Sequence, residues 1–247
     1  MPRQNTVALS GLVLCQNNAS TIGHVIDNLL SVCEEVVIVD GGSSDNTIAE
    51  ARKRPQVKVV ERKFDNNFGA QRNAGLEVAR GKWILSLDTD ELMTKPGLRR
   101  LRYLTMVPGA GWWSIPRYWL VPHEGGVGYI AGPTFYRDRQ VRLIRNVPEH
   151  RFAANRVVHE HLNTRKGLGR PLRGPHIFHY AFLMQDRATR ERKFEYYMGL
   201  QPELEHVHRM YLWEDLGEEV KPLAEKLPGM LPGATDEISS TATHSAR

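Results

Sequence analysis

Three carboxylates stand within four residues at Asp88-Thr89-Asp90-Glu91, directly behind the apolar run Trp83–Leu87. These side chains offer hard oxygen donors. Mg²⁺ and Mn²⁺ want such donors and take few from protein, drawing the rest from phosphates and water. The run therefore suits a divalent cation that neutralises a leaving diphosphate as a Lewis acid. One carboxylate would go to the metal and the other to a ribose or a metal-bound water. A bare D-x-D triplet recurs in many acidic loops. One placed behind a strand and preceded by VDGGSSDNT, starting at Val39, is far more specific.

In an open parallel sheet, ligands sit at the carboxyl ends of the strands. Here those positions carry Gln16-Asn17, Asp40 and Asp88. An Asp at that edge can accept hydrogen bonds from a base or from ribose hydroxyls. The competing reading of Asp40 is that it merely starts a turn.

The elements that must position these residues alternate in a regular way. Val7–Cys15, Glu35–Asp40, Val57–Glu61 and Trp83–Asp88 are apolar runs of strand length. Between them lie three helical segments: TIGHVIDNLLSV after a Ser20 N-cap, a helix capped by Ser44 or Asp45 and stopped at Pro55, and Gly69–Arg80. Strand and helix at this pitch mean βαβ units and a parallel sheet. Beyond Pro108 the pattern changes to short strands at Trp112–Val121, Gly126–Tyr136, Gln140–Arg145, Val157–Glu160 and His176–Phe182. Met184–Leu216 reads as helix broken near Pro202, and the Pro/Gly/Ser/Thr-rich end from Pro228 as a frayed tail.

LVLCQNN, EVVIVDGGSSDNT, FGAQRNAGLEVARGKWILSLDTDE and VVHEHL together resemble the family-2 glycosyltransferases, and among them the bacterial enzymes that build lipopolysaccharide core and other surface glycans. The likeness runs from about residue 7 to 200 and is strongest through Glu91. It implies a GT-A fold: a Rossmann-like parallel α/β sheet with a mixed or antiparallel C-terminal extension and late helices. It also implies a UDP- or GDP-type sugar donor, Mn²⁺ or Mg²⁺, and inversion at the anomeric carbon. On that likeness Asn17 approaches the nucleotide, Asp40 the base, and Arg72 the base or phosphates. Asp88 approaches the ribose and Asp90 the metal, so that both acids belong to the metal site. Residues 1–105 form the nucleotide-sugar half, 106–227 the acceptor half of the same domain, and 228–247 a tail. Cys15-Gln16-Asn17-Asn18 departs from the Thr-Lys-Asn-Glu of many relatives, which bears on the identity of the base.

An inverting transfer needs a general base on the far side of the donor, and so from the second half of the chain. Glu160, between His159 and His161 and near where relatives place a catalytic acid, is the first choice. Asp138 and Glu149 are the runners-up, and a structural salt bridge is the competing reading of Glu160. In some relatives a His beyond the base completes the metal shell, which makes His179 a candidate third ligand; a structural histidine is the alternative. Arg187, Arg190, Arg192 and Lys193 could hold a diphosphate or an anionic acceptor, or form one solvated face. Trp112, Trp113, Tyr118 and Trp119 could stack on sugars but at alternating positions read better as sheet core.

Charge is unevenly spread. Residues 1–105 carry +2, residues 106–193 carry +9 and residues 194–247 carry −6. The basic middle points to an anionic acceptor: a glycan, a lipid-linked sugar or a nucleic acid. The alternative is pairing of its arginines with the acidic end. Cys15 and Cys33 are too few for a disulfide framework or a zinc site and read as buried free thiols of a reducing cytoplasm. No apolar run reaches the roughly 18 residues of a membrane span, and the first residues read as a core strand rather than a secretory signal. Peripheral contact with a membrane stays open. Other function classes are a transferase acting on a DNA base or a protein side chain, a nucleotidyltransferase and an inactive binding module. The QNNAST loop lacks the Gly-rich, cationic character of nucleotidyltransferases, and the intact acids argue against an inactive module.

Overall fold

The computed structural model describes residues 7–135, 138–153, 162 and 167–234. They divide into two compact units, Met1–Pro116 with Arg139–His176, and Arg117–Asp138 with Ile177–Arg247.

The first unit is a sheet with helices against it. Strands β1 (Val7–Cys15), β2 (Glu35–Asp40), β3 (Val57–Glu61) and β4 (Gly81–Ser86) alternate with helices α1 (Ile22–Leu30), α2 (Thr47–Ala51) and α3 (Phe68–Val78). β1 pairs in parallel with both β2 and β4, and β2 with β3, giving the order β3-β2-β1-β4. The winding direction therefore reverses between β1 and β4, the point at which such sheets open a ligand crevice. Two-residue β5 (Glu91–Leu92) and helix α4 (Lys95–Leu104) follow. The first half of β6 (Ala110–His123) pairs antiparallel with β8 (Arg139–Arg145), and β8 pairs antiparallel with β4. β9 (Leu168–Pro171) runs parallel beside β6. The parallel sheet and its antiparallel continuation are thus as the sequence led us to expect.

Local chemistry explains the elements. All six residues of β2 are buried, which suits its β-branched run between two neighbouring strands. In α1 the buried Ile22, Val25, Ile26 and Leu29 fall on one face. Asn67 caps α3 by accepting from Ala70 N at 2.8 Å, and Thr94 caps α4 by accepting from Gly97 N at 3.2 Å. Leu12, Val37, Val39, Leu76 and Ile84 join the same apolar cluster. At the amino edge, buried Glu35 accepts from Ser10 Oγ at 2.6 Å and from the backbone N and Nε of Arg80, tying three strands together.

The second unit contains the second half of β6 with β7 (Gly126–Ile130) and β11 (Val220–Pro222) antiparallel in succession, and β10 (Ile177–His179) parallel to Arg117–Trp119. Helices α5 (Ala181–Met184), α6 (Arg187–Leu200) and α7 (Glu205–His208) follow, with 3₁₀ turns at Pro202–Leu204 and Arg209–Leu216. Trp119, Val121, Ile130, Phe135, Phe182 and Tyr211 form its core.

Several boundaries differ from the sequence reading. β4 stops at Ser86, two residues short of Asp88. α1 begins at Ile22 with no side-chain cap, because Asn18 O already accepts from the backbone N of Thr21 and Ile22. The strand expected over Gly126–Tyr136 ends at Ile130, close to Gly132-Pro133. The one expected over His176–Phe182 ends at His179, where a helical turn starts. The strand expected at Val157–Glu160 lies outside the described residues.

α3 lies close to the sheet because Gly75 faces it. A Cβ built there would stand 2.3 Å from Leu12 Cδ1 and 2.8 Å from Val39 Cγ2. Gly75→Val should overpack this contact and destabilise the protein by about 1–3 kcal/mol. Urea denaturation checks this; a midpoint equal to wild type would show that the helix can shift freely.

Candidate functional site

Two loops meet at the carboxyl ends of β1 and β2. Asp40 closes the second. Its Oδ2 accepts from the backbone N of Gly42 and Ser43, both at 2.9 Å, and its Oδ1 from Ser43 Oγ. Gly42 supplies the left-handed turn with φ 101°, which a side chain would oppose. Asp40 is only 1% exposed. It therefore shapes the Gly-Gly-Ser-Ser turn from beneath. The turn-starting contacts of Asp40 are thus present, at the carboxyl end of β2.

Asn17 latches one loop to the other. It sits at φ 56°, a region asparagine tolerates better than most residues. Its backbone N donates to Ser43 Oγ at 2.9 Å, and its Oδ1 accepts from Ser44 N at 2.8 Å. Asn18 N donates to Thr47 Oγ1 and Ala19 N to Asp45 Oδ2 in the same seam. Asn17 is exposed at this edge. Cys15, below the seam, places its thiol 3.6 Å from Asp40 Oδ1. Burial first, and the neighbouring Asp40 carboxylate next, push this thiol far above its ordinary range.

The D-T-D-E turn is pinned by two arginines. Arg72, on α3 and buried, donates to Ser86 Oγ at 2.8 Å and to Asp88 Oδ1 at 2.9 Å. Arg142, on β8 and also buried, donates to Asp88 Oδ1 at 3.2 Å, to Asp88 Oδ2, and to Glu91 Oε1 at 2.8 Å. Glu91 is fully buried, and its Oε2 accepts from the backbone N of Asp88 at 3.0 Å. Two acids and two guanidinia thus balance one another. Burial would raise the Asp88 carboxyl, but Arg142 and then Arg72 overcome it and hold it well below the usual carboxylate range. The Asp88 side chain keeps 32% of its surface exposed, and Asp90 is half-buried in the same turn.

Arg72, expected to meet the base or phosphates, stands beside Asp88 and holds it. Arg142 was not foreseen. A signal was available in the sequence: a charge inside the apolar strand Gln140–Arg145 needs an acid nearby, and residues 88–91 are the densest acidic run. Glu91 closes the turn from inside and leaves the two aspartates as its outer acids.

The remaining candidates divide. Glu160 lies outside the described residues. Glu149 is exposed in the turn after β8. Asp138 and His179 belong to the second unit, whereas Asp88 and Asp90 belong to the first. Asp138 Oδ2 accepts from Arg117 Nε at 2.9 Å and Trp119 Nε1 at 3.1 Å, an ion-paired arrangement that orients the strand. His179 is buried, with its ring 4.1 Å from that of Trp119. Among the described residues no three His, Cys, Asp or Glu side chains gather as a metal shell.

Arg187 and Arg190 follow the pairing alternative. Arg187 makes a two-pronged contact with Asp215 at 2.8 and 2.7 Å, and Arg190 is buried against Glu214 and Tyr211 O. Lys193 stands 4.8 Å from the centre of the Tyr211 ring. Trp113 and Trp119 are buried, as sheet core.

Residues 10–103 match the family described as Glycosyl transferase family 2. The chain is 37% identical over 95 residues to the succinoglycan biosynthesis protein ExoO of Rhizobium meliloti, covering 36% of this chain and 27% of that one. It is 27% identical to the lipopolysaccharide core biosynthesis glycosyltransferase LpsC of the same organism, over 75% of this chain and 68% of that one. Among solved structures it resembles S. aureus TarS 1-349 with a TM-score of 0.51 at 16% identity, over 75% of this chain and 65% of that one. The last likeness concerns the fold alone. The chain spans about a quarter of ExoO and about two thirds of LpsC.

Arg142→Met keeps bulk but removes the positive charge shared by Asp88 and buried Glu91. Breaking a buried pair this way costs about 3–5 kcal/mol, readable as a lower urea midpoint near neutral pH. Because the folded pKa of Asp88 is depressed, its contribution is complete above the unfolded value of about 3.9 and drains away below it. The gap between wild type and Arg142→Met should therefore shrink from about pH 6 to about pH 3. A gap constant across that range would mean that Arg142 acts by packing alone.

Proposed function

The segment 10–103 belongs to the family-2 glycosyltransferases, and from that premise we propose that the protein moves a sugar from a nucleoside-diphosphate donor to an acceptor hydroxyl with inversion. The observation that carries this reading is the pinned acid turn. Asp88 is fixed by Arg72 and Arg142 at the carboxyl edge of β4, beside the switch point where an α/β sheet takes its ligand. A turn held this firmly can receive a ribose and a diphosphate without first rearranging.

The donor set suits a divalent cation. The turn offers only oxygen ligands, and a cation that keeps waters and phosphate oxygens needs only one or two carboxylates from protein. Asp90 would hold it. Asp88, committed to two guanidinia but a third exposed, would face the ribose with its open edge. When bound, the cation would supply Lewis-acid stabilisation of the leaving diphosphate. This reading does not call on His179 as a metal ligand. Asn17 and the Ser43-Ser44 turn would receive the nucleotide on the adjoining loops.

In the transfer, the acceptor oxygen attacks the anomeric carbon as the bond from that carbon to the diphosphate oxygen breaks. The electron pair leaves with the nucleoside diphosphate, and the acceptor proton passes to a carboxylate. Glu160 is proposed for that base, Asp138 being already engaged by Arg117 and Trp119. The names of the relatives, in succinoglycan and lipopolysaccharide core biosynthesis, support a surface-glycan or lipid-linked acceptor.

Thermal-shift measurements with UDP and GDP, each with and without Mn²⁺, followed by donor hydrolysis across a panel of nucleotide sugars, test the reading. One nucleoside diphosphate should stabilise the protein more in the presence of metal. Asp90→Ala should remove that metal-dependent increment while leaving unfolding without ligand unchanged; unaltered turnover in this variant would sink the metal assignment. Glu160→Gln should lower transfer by roughly 10²–10⁴-fold with little change in donor affinity. A collapse of donor binding instead would make Glu160 a binding residue.

A further inference from the structure

α4 and the turn behind it present outward two kinds of side chain. Lys95, Arg99 and Arg100 are exposed and make no ion pair among the described residues. Arg102 turns away, bonded to Val32 O and Glu34. One turn further on, Tyr103 is 68% exposed, Met106 66% and Val107 41%. Leu168, 70% exposed, joins them. Its backbone N donates to Gly109 O at 2.8 Å, and β9 begins opposite Ala110.

At the other end of the helix, a Cβ on Gly97 would stand 2.8 Å from Pro175. The segment from Leu168 to Pro175 thus runs back along α4 and brings Arg170 and Arg173, both exposed and without an ion pair among the described residues. Residues 95–110 and 167–176 contain six Lys and Arg and no Asp or Glu. Single exposed apolar residues are ordinary on a protein surface; four large ones gathered beside five uncompensated cations are not.

We propose that this edge of the first unit docks on an anionic phospholipid surface. Tyr103, Met106, Val107 and Leu168 enter the boundary between headgroups and acyl chains, and Lys95, Arg99, Arg100, Arg170 and Arg173 lie against the lipid phosphates. Stable but reversible attachment takes two signals, apolar burial and opposite charge, and both are present here. Nucleic acid would answer the cations but leave the four apolar side chains in water. A second copy using the same face would set five cations against five. The docking requires no catalysis, so it stands or falls separately from the proposed transfer.

Co-sedimentation of the full chain with vesicles of phosphatidylglycerol mixed into phosphatidylcholine, against phosphatidylcholine alone, tests it. Binding should appear only on the anionic vesicles and weaken with salt. Arg99→Ala with Arg100→Ala should weaken it about 25-fold, about fivefold for each cation. Met106→Ser with Leu168→Ser should also release the protein, and Arg170→Ala with Arg173→Ala provides an independent pair. All three variants should keep the wild-type melting temperature and nucleoside-diphosphate response, which separates lost docking from lost fold. Absence of binding to anionic vesicles at low salt overturns the proposal. So does binding indifferent to the serine substitutions, equal affinity for a single-stranded oligonucleotide, or a concentration-dependent dimer that Leu168→Ser abolishes.

Discussion

A carboxylate drawn partly out of water needs opposite charge at close range, and Asp88 receives it from two directions. Arg72 comes from a helix 16 residues earlier and Arg142 from a strand 54 residues later. Each arginine depends on a backbone arrangement. α3 can lie close enough only because Gly75 carries no side chain against Leu12 and Val39. Arg142 arrives by register: β8 pairs Ile144 with Ile84 and Leu143 with Leu85, so the next residue along comes beside Ser86. The antiparallel extension of the sheet therefore does more than enlarge the core. It delivers the second cation to the acid turn, and with it the neutral balance that lets Glu91 be fully buried.

The neighbouring loops solve a similar problem without charge pairing. Asp40 is satisfied by backbone and hydroxyl donors of its own turn, and Asn17 carries that order to the β1 loop through Ser43 and Ser44. A ligand arriving at this edge would meet loops that already hold one another. Less conformational freedom is then left to lose on binding.

The parallel half of the fold was legible in the sequence because its signals are local. β-branched runs such as EVVIVD, spaced by amphipathic segments, state both the strand and its burial. The acid turn was legible for the same reason. What escaped depends on contacts distant in sequence. The sequence position of Arg72 could not reveal that its guanidinium grips Asp88. Arg142 lay hidden in an arginine-rich stretch where no local pattern separates one cation from the next. Asp40 and Asp88 look alike as strand-end acids, yet one is enclosed by its own turn and the other is held by arginines with an open edge. Arg187 and Arg190 looked available until Glu214 and Asp215, more than 20 residues further on, came alongside. Strand ends such as Ser86 and Ile130 shifted because tertiary pairing, rather than hydropathy, decides where a ladder stops.

The two cysteines have a practical corollary. Both Cys15 and Cys33 are buried, and burial raises both thiols well above the range in which thiolate forms near neutral pH. The native chain should therefore be nearly silent toward maleimides and iodoacetamides. A cysteine introduced at an exposed position would become the dominant attachment point for a fluorophore or spin label, with no need to remove the natural pair. Distances and loop motions at the carboxyl ends of β1 and β2 could then be followed spectroscopically in a protein whose core is otherwise unaltered.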